Sequence, residues 1–103
     1  MIVEVRFGHE RTPGMLYLDC RDDIALHIKK LQNEFDRWCM NVSDDHPIKE
    51  YREEIVDGKV TNTYYVICIG YDDFPNWINE KYGEQVVKRT QQPEEDSTII
   101  LNF

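Results

Sequence analysis

The stretch Lys49–Gly70 constrains the fold more than any other. Residues 49–56, KEYREEIV, and 59–70, KVTNTYYVICIG, flank Asp57-Gly58. An Asp-Gly pair between two strand-like runs marks a tight hairpin, because a type I′ turn needs φ > 0 at both central positions. The second run ends in YYVICI, residues 64–69, the most β-prone and most apolar run of the chain. That composition predicts an inner strand of the sheet, with the other elements packed on or beside it. A two-residue turn sets Ile55 opposite Val60, Glu53 opposite Asn62 and Tyr51 opposite Tyr64. One face then carries Tyr51, Ile55, Val60, Tyr64, Val66 and Cys68, with Glu53 and Asn62 as its polar exceptions. The other face is polar near the turn and apolar near the root, at Ile67 and Ile69, so the tip is expected to project beyond the core.

Upstream, residues 2–7, IVEVRF, alternate, with Val3, Val5 and Phe7 on one face of a half-buried strand. After a turn-rich segment, residues 15–20, MLYLDC, read as a second strand, antiparallel to the first. A helix follows to about Asn41, capped by Asp22 or Asp23. Ile24, Ile28, Leu31, Phe35 and Trp38 form its single apolar stripe. A stripe of that kind is a core face, and His27 beside it is structural. Downstream of the hairpin, Asp73 is placed to cap a short helix with Pro75 in its first turn and Gly83 as its stop. Residues 85–90 and 97–103 read as strands. The order ββαββαββ predicts one α+β domain over residues 1–103, with a mainly antiparallel sheet and one long and one short helix packed on one face.

A length of 103 residues is that of one domain, and a 41% apolar fraction supports one packed core. The N-terminal residues lack a basic segment followed by an apolar one, so no signal peptide is read there. Nothing approaches the run of about 20 apolar residues that spans a membrane. Cys20, Cys39 and Cys68 lack CxxC spacing, and their odd count predicts reduced thiols in a cytosolic protein. Asn41-Val42-Ser43 fits a glycosylation signal that such a setting leaves unused. A net charge of −8 argues against direct nucleic-acid binding and anionic membranes, both of which need clustered Lys and Arg.

Few motifs carry chemistry. Asp44-Asp45-His46, with His9 and Glu10 in another loop, is the best metal or acid–base candidate, yet it lacks the spacing of HExxH or of a calcium loop. No GxSxG, phosphate loop or dinucleotide turn is present. The expectation is therefore a protein that is not an enzyme and takes no cofactor or metal. The acidic residues are the remaining signal. Asp44, Asp45, Glu50, Glu53, Glu54 and Asp57 fall within fourteen residues, and Asp72 and Asp73 follow the hairpin. Tyr51, Tyr64, Tyr65 and Tyr71 interleave with them. Carboxylates beside tyrosines suit a surface that docks Lys and Arg, with charge steering the encounter and rings supplying buried area. The plainer reading is a solvated strand face. The functional expectation is a small protein-binding module, of inhibitor or immunity type, that docks a basic protein partner through Asp44, Asp45, Glu50, Tyr51, Glu53, Glu54, Asp57, Asp72 and Asp73. Two alternatives are a module that self-associates through a sheet edge and a small metal-dependent enzyme built on Asp44–His46 with His9.

Overall fold

A computed structural model describes residues 1–8, 13–97 and 99–103. Strands β1 (Ile2–Gly8) and β2 (Pro13–Cys20) pair antiparallel, Val5 opposite Leu16. Helices α1 (Asp22–Leu26) and α2 (Ile28–Asn41) follow, then the hairpin strands β3 (Lys49–Val56) and β4 (Lys59–Ile67). Helix α3 (Asp73–Tyr82) and strands β5 (Val87–Thr90) and β6 (Ile99–Asn102) complete the chain. The result is one small α+β domain, mostly antiparallel, in which β6 alone of the paired strands runs parallel to its neighbour, β1.

The body is a four-stranded sheet in the order β5-β2-β1-β6. Alternation places Val3, Val5, Phe7, Leu16, Leu18 and Cys20 on its inner face, all buried. The helices cover that face. The expected stripe is real: Ile24, Ile28, Leu31 and Phe35 are buried and Trp38 is packed against them. Phe35 is the hub, with ring centroids 5.2 Å from Phe74, 5.5 Å from Trp77, 5.8 Å from Trp38 and 6.0 Å from Phe103. Asn79 of α3 ties the helix to the edge strand. Its Oδ1 accepts from the N–H groups of Val86 and Val87, and its Nδ2 donates to the Val87 carbonyl.

Local signals held where they are local, and they missed some details. Gly83 ends α3 in the left-handed region, at φ 70°. The long helix is broken at His27, whose φ of −112° and ψ of 11° separate α1 from α2. The His27 ring nitrogen Nδ1 lies 2.8 Å from the Asp23 carbonyl oxygen. Neither Asp22 nor Asp23 caps α1. The N-cap is Arg21, whose guanidinium instead holds Asp23 and Glu84 at 2.6 Å. Asp72 rather than Asp73 sits at the N-cap of α3, and Asp73 Oδ2 accepts from the Gly70 N–H at 2.6 Å.

The largest correction concerns YYVICI. It is not an inner strand. β3 and β4 form their own two-stranded sheet, which among the described residues pairs with no strand of the body. The reason lies in β3, whose Lys49, Glu50, Arg52, Glu53 and Glu54 put charge on both faces. Covering either face would strip water from carboxylates without replacing it. Only the root is embedded, through buried Ile48 and Ile69. There the Cys68 N–H donates to the Ile48 carbonyl at 2.8 Å. The hairpin therefore projects, as expected of its tip. The radius of gyration is 16.1 Å and the long axis 52 Å, against a radius of about 13 Å for a compact chain of this length.

Candidate functional site: a projecting hairpin arm

The arm begins at its turn. Asp57 and Gly58 both take positive φ, 54° and 77°, as the type I′ geometry demands. Ile55 then faces Val60 and Val56 faces Lys59. Beyond these pairs the expected register slips by one residue. Glu54 faces Asn62, Glu53 faces Thr63, Arg52 faces Tyr64 and Tyr51 faces Tyr65. A β-bulge absorbs the extra residue, Thr61, whose hydroxyl donates to the Glu54 carbonyl at 3.1 Å.

The slip re-sorts the faces. One carries Tyr51, Glu53, Ile55, Val60, Thr63 and Tyr65. The other carries Arg52, Glu54, Val56, Lys59, Asn62 and Tyr64. The Tyr51 and Tyr65 rings meet edge to face at 5.7 Å. The Tyr51 hydroxyl donates to Glu53 Oε1 at 2.8 Å. That bond, with partial desolvation and the negative charge of Glu53, raises the tyrosine pKa above its usual value. Tyr51, Ile55, Val56, Val60, Tyr64 and Tyr65 are all exposed, Ile55 at 61%. Glu53, Glu54 and Asp57 form no ion pair among the described residues.

The remaining expected residues scatter. Glu50 stands at the root, where its Oε2 accepts from the Cys68 thiol at 3.2 Å and lies 3.7 Å from Arg52. Asp44 pairs with Lys49 at 3.2 Å, and the same ammonium donates to the Val42 carbonyl. The Ser43 hydroxyl donates to Asp45, which lowers the pKa of that carboxyl. His46 Nδ1 accepts from the Ile48 N–H at 3.2 Å, and its ring stands edge-on to Trp38 at 5.3 Å. These bonds shape the loop that carries the arm. His9 and Glu10 lie outside the described residues. No group of three or more His, Cys, Asp or Glu among the described residues is arranged to hold a metal ion.

Asp72 and Asp73 do not join the arm's tip. β4 spans nine residues, about 30 Å, and both aspartates lie beyond its root, Asp72 against Arg89 at 3.4 Å. Tyr71 likewise belongs to the body, donating to the Pro13 carbonyl at 2.7 Å and packing on Phe7. Sequence reasoning missed Ile55, Val56 and Val60 as site residues. Their signal was apolar residues beside a turn on a strand pair too charged to bury.

Among the described residues, no helix is long and apolar enough to cross a membrane. Cys20 and Cys39 are buried, and burial pushes their thiols up to about 11 and about 12. Comparisons with protein-family models, curated proteins and solved structures find no match for this chain.

Proposed function

We propose that this protein is a small cytosolic binding module that docks a basic protein partner with its hairpin arm. The reading rests on one observation: a projecting ribbon combines exposed aromatic and aliphatic side chains with Glu53, Glu54 and Asp57, which form no ion pair among the described residues. Patches of exposed apolar surface rimmed by charge are commonly interaction sites. Carboxylates at such a rim speed encounter with a basic surface, while buried aromatic area sets the lifetime of the complex. An inhibitor or immunity-type role suits a module of this size and charge.

The test is retention of binding proteins from the source cell's lysate on immobilised wild-type and variant protein. Washing at 0.05 M and 0.5 M salt shortens the screening length from about 14 Å to about 4 Å. A basic protein is expected to be held at low salt and weakened at high salt. Glu53→Lys, Glu54→Lys and Asp57→Lys should each slow its association about two- to tenfold without unfolding the domain. Association rates unchanged in all three variants would remove the arm from the account.

A further inference from the structure

Among the described residues, β6 is the end strand of the body sheet. The Phe103 N–H donates to the Arg6 carbonyl at 2.8 Å, and the Gly8 N–H donates to the Phe103 carbonyl at 3.1 Å. In a parallel ladder bonding residues alternate, so Ile99, Leu101 and Phe103 turn toward β1. Ile100 and Asn102 turn their backbone groups the other way. Among the described residues no strand pairs there. The Asn102 carbonyl accepts from Gln32 Nε2 at 2.7 Å. Residues 99–103, IILNF, hold no lysine, proline or other residue of the kind that blunts a sheet edge.

Beside this edge lies an apolar pocket of about 320 Å³. Cys39 and Met40 of α2 line it together with Ile67 and Ile69 from the arm's root and Phe103. The pocket therefore fills the gap between the body sheet and the arm. Asp36 stands in its lining and forms no ion pair among the described residues. The apolar surroundings hold its carboxyl pKa above the usual value.

We propose that the β6 edge and this pocket form a second binding site, which takes an extended peptide segment of a partner protein bearing a lysine or arginine. The segment adds to the sheet as a fifth strand. The residue facing Ile100 exchanges backbone hydrogen bonds with it. The next residue turns to the inner face, where the pocket opens. A long basic side chain lays its methylenes along Met40, Ile67 and Ile69 and sets its charge against Asp36. Charge selects this occupant over a second copy. A second copy brings a further −8 and, through its own IILNF edge, no cation.

The experiment selects a random nonapeptide phage library on the intact protein at about 0.15 M salt. Selected peptides are synthesised, measured by fluorescence anisotropy and mapped by amide chemical shifts. Alternating sequences with Lys or Arg in one frame, perturbing Ile100 and Asn102, are expected. Ile100→Pro deletes an outward N–H while sparing the bonds to β1, and should weaken those peptides about tenfold. Asp36→Lys should weaken them by a similar factor and, on reselection, favour Glu or Asp. Met40→Trp, at an exposed position that tolerates bulk, fills the pocket and serves if Ile100→Pro misfolds. Glu53→Lys is the control and should leave them unchanged, which keeps this site's fate separate from that of the arm. An empty selection, peptides with no basic preference, peptides mapping to the arm, or a dimer in light scattering with protected β6 amides would each overturn the proposal.

Discussion

The body and the arm are built from the same residue types and reach opposite outcomes. In β1 and β2 the apolar residues alternate with Glu4, Arg6, Tyr17 and Asp19, so one face is clean and a layer of helices can dry it. In β3 and β4 the apolar residues, Tyr51, Ile55, Val60 and Tyr65, share their face with Glu53. The opposite face mixes Arg52 and Glu54 with Val56 and Tyr64. Hydrophobic content alone does not place a strand in a core. The separation of charge from apolar surface does, because one buried, unpaired carboxylate outweighs what a neighbouring valine gains. A two-stranded ribbon is marginal in water by itself, so the arm depends on its root, where Ile48 and Ile69 are buried and Lys49 is tied to Val42 and Asp44.

The contrast is most easily broken at Phe35. Its ring is fully buried and touches aromatic residues from α2, α3 and the end of β6. Phe35→Ala should cost about 3–5 kcal/mol, read as a lowered urea midpoint, and should release the arm along with the body. Asn79→Ala is expected to cost less, about 2 kcal/mol. It leaves the N–H groups of Val86 and Val87 without their acceptor while removing little apolar volume. A loss below about 0.5 kcal/mol would mean that β5 is held by its ladder to β2 rather than by α3.

The thiol of Cys39 offers a pH-dependent comparison. Its pKa lies near 12 in the folded protein, against an ordinary value of 9.0. The folded state therefore holds the proton more tightly than the unfolded chain. Its stability is complete below pH 9 and falls as pH rises toward 12. Between pH 8 and pH 10 the loss from this one group is on the order of 1 kcal/mol. Urea unfolding of wild type and Cys39→Ala at both pH values isolates it, and parallel losses in the two proteins would assign the effect elsewhere. Native alkylation at pH 8 should spare Cys20 and Cys39 until the chain unfolds.

What the sequence reveals divides along the same line. The Asp57-Gly58 turn, the stripe from Ile24 to Trp38 and the stop at Gly83 are specified by neighbours a few residues away, and each is in place. The bulge at Thr61 is not legible, because a tight turn fixes only the first pairs and either register sets Tyr51 opposite a tyrosine, Tyr64 without the slip and Tyr65 with it. The exclusion of YYVICI from the body sheet needs β3 and β4 weighed together. The site divides likewise. Glu53, Glu54 and Asp57 share the arm because one hairpin holds them, whereas Asp72 and Asp73, close behind in sequence, are carried off by the start of α3.

The smallest expected effect sharpens the comparison most. Tyr65→Ala removes a ring 47% exposed that touches Tyr51 across the ribbon. Global stability should change by no more than about 0.5 kcal/mol, since nothing in the core loses a contact. The amides of residues 51–56 and 59–65 should nonetheless exchange with solvent about two- to fivefold faster, because a cross-strand aromatic pair is worth about 0.5–1 kcal/mol to the local hairpin. Amide exchange resolved by residue separates the two readouts. A large global loss would show that the arm folds as part of the core. An unchanged arm would show that its root and turn suffice to hold it, leaving the tyrosines available for a partner.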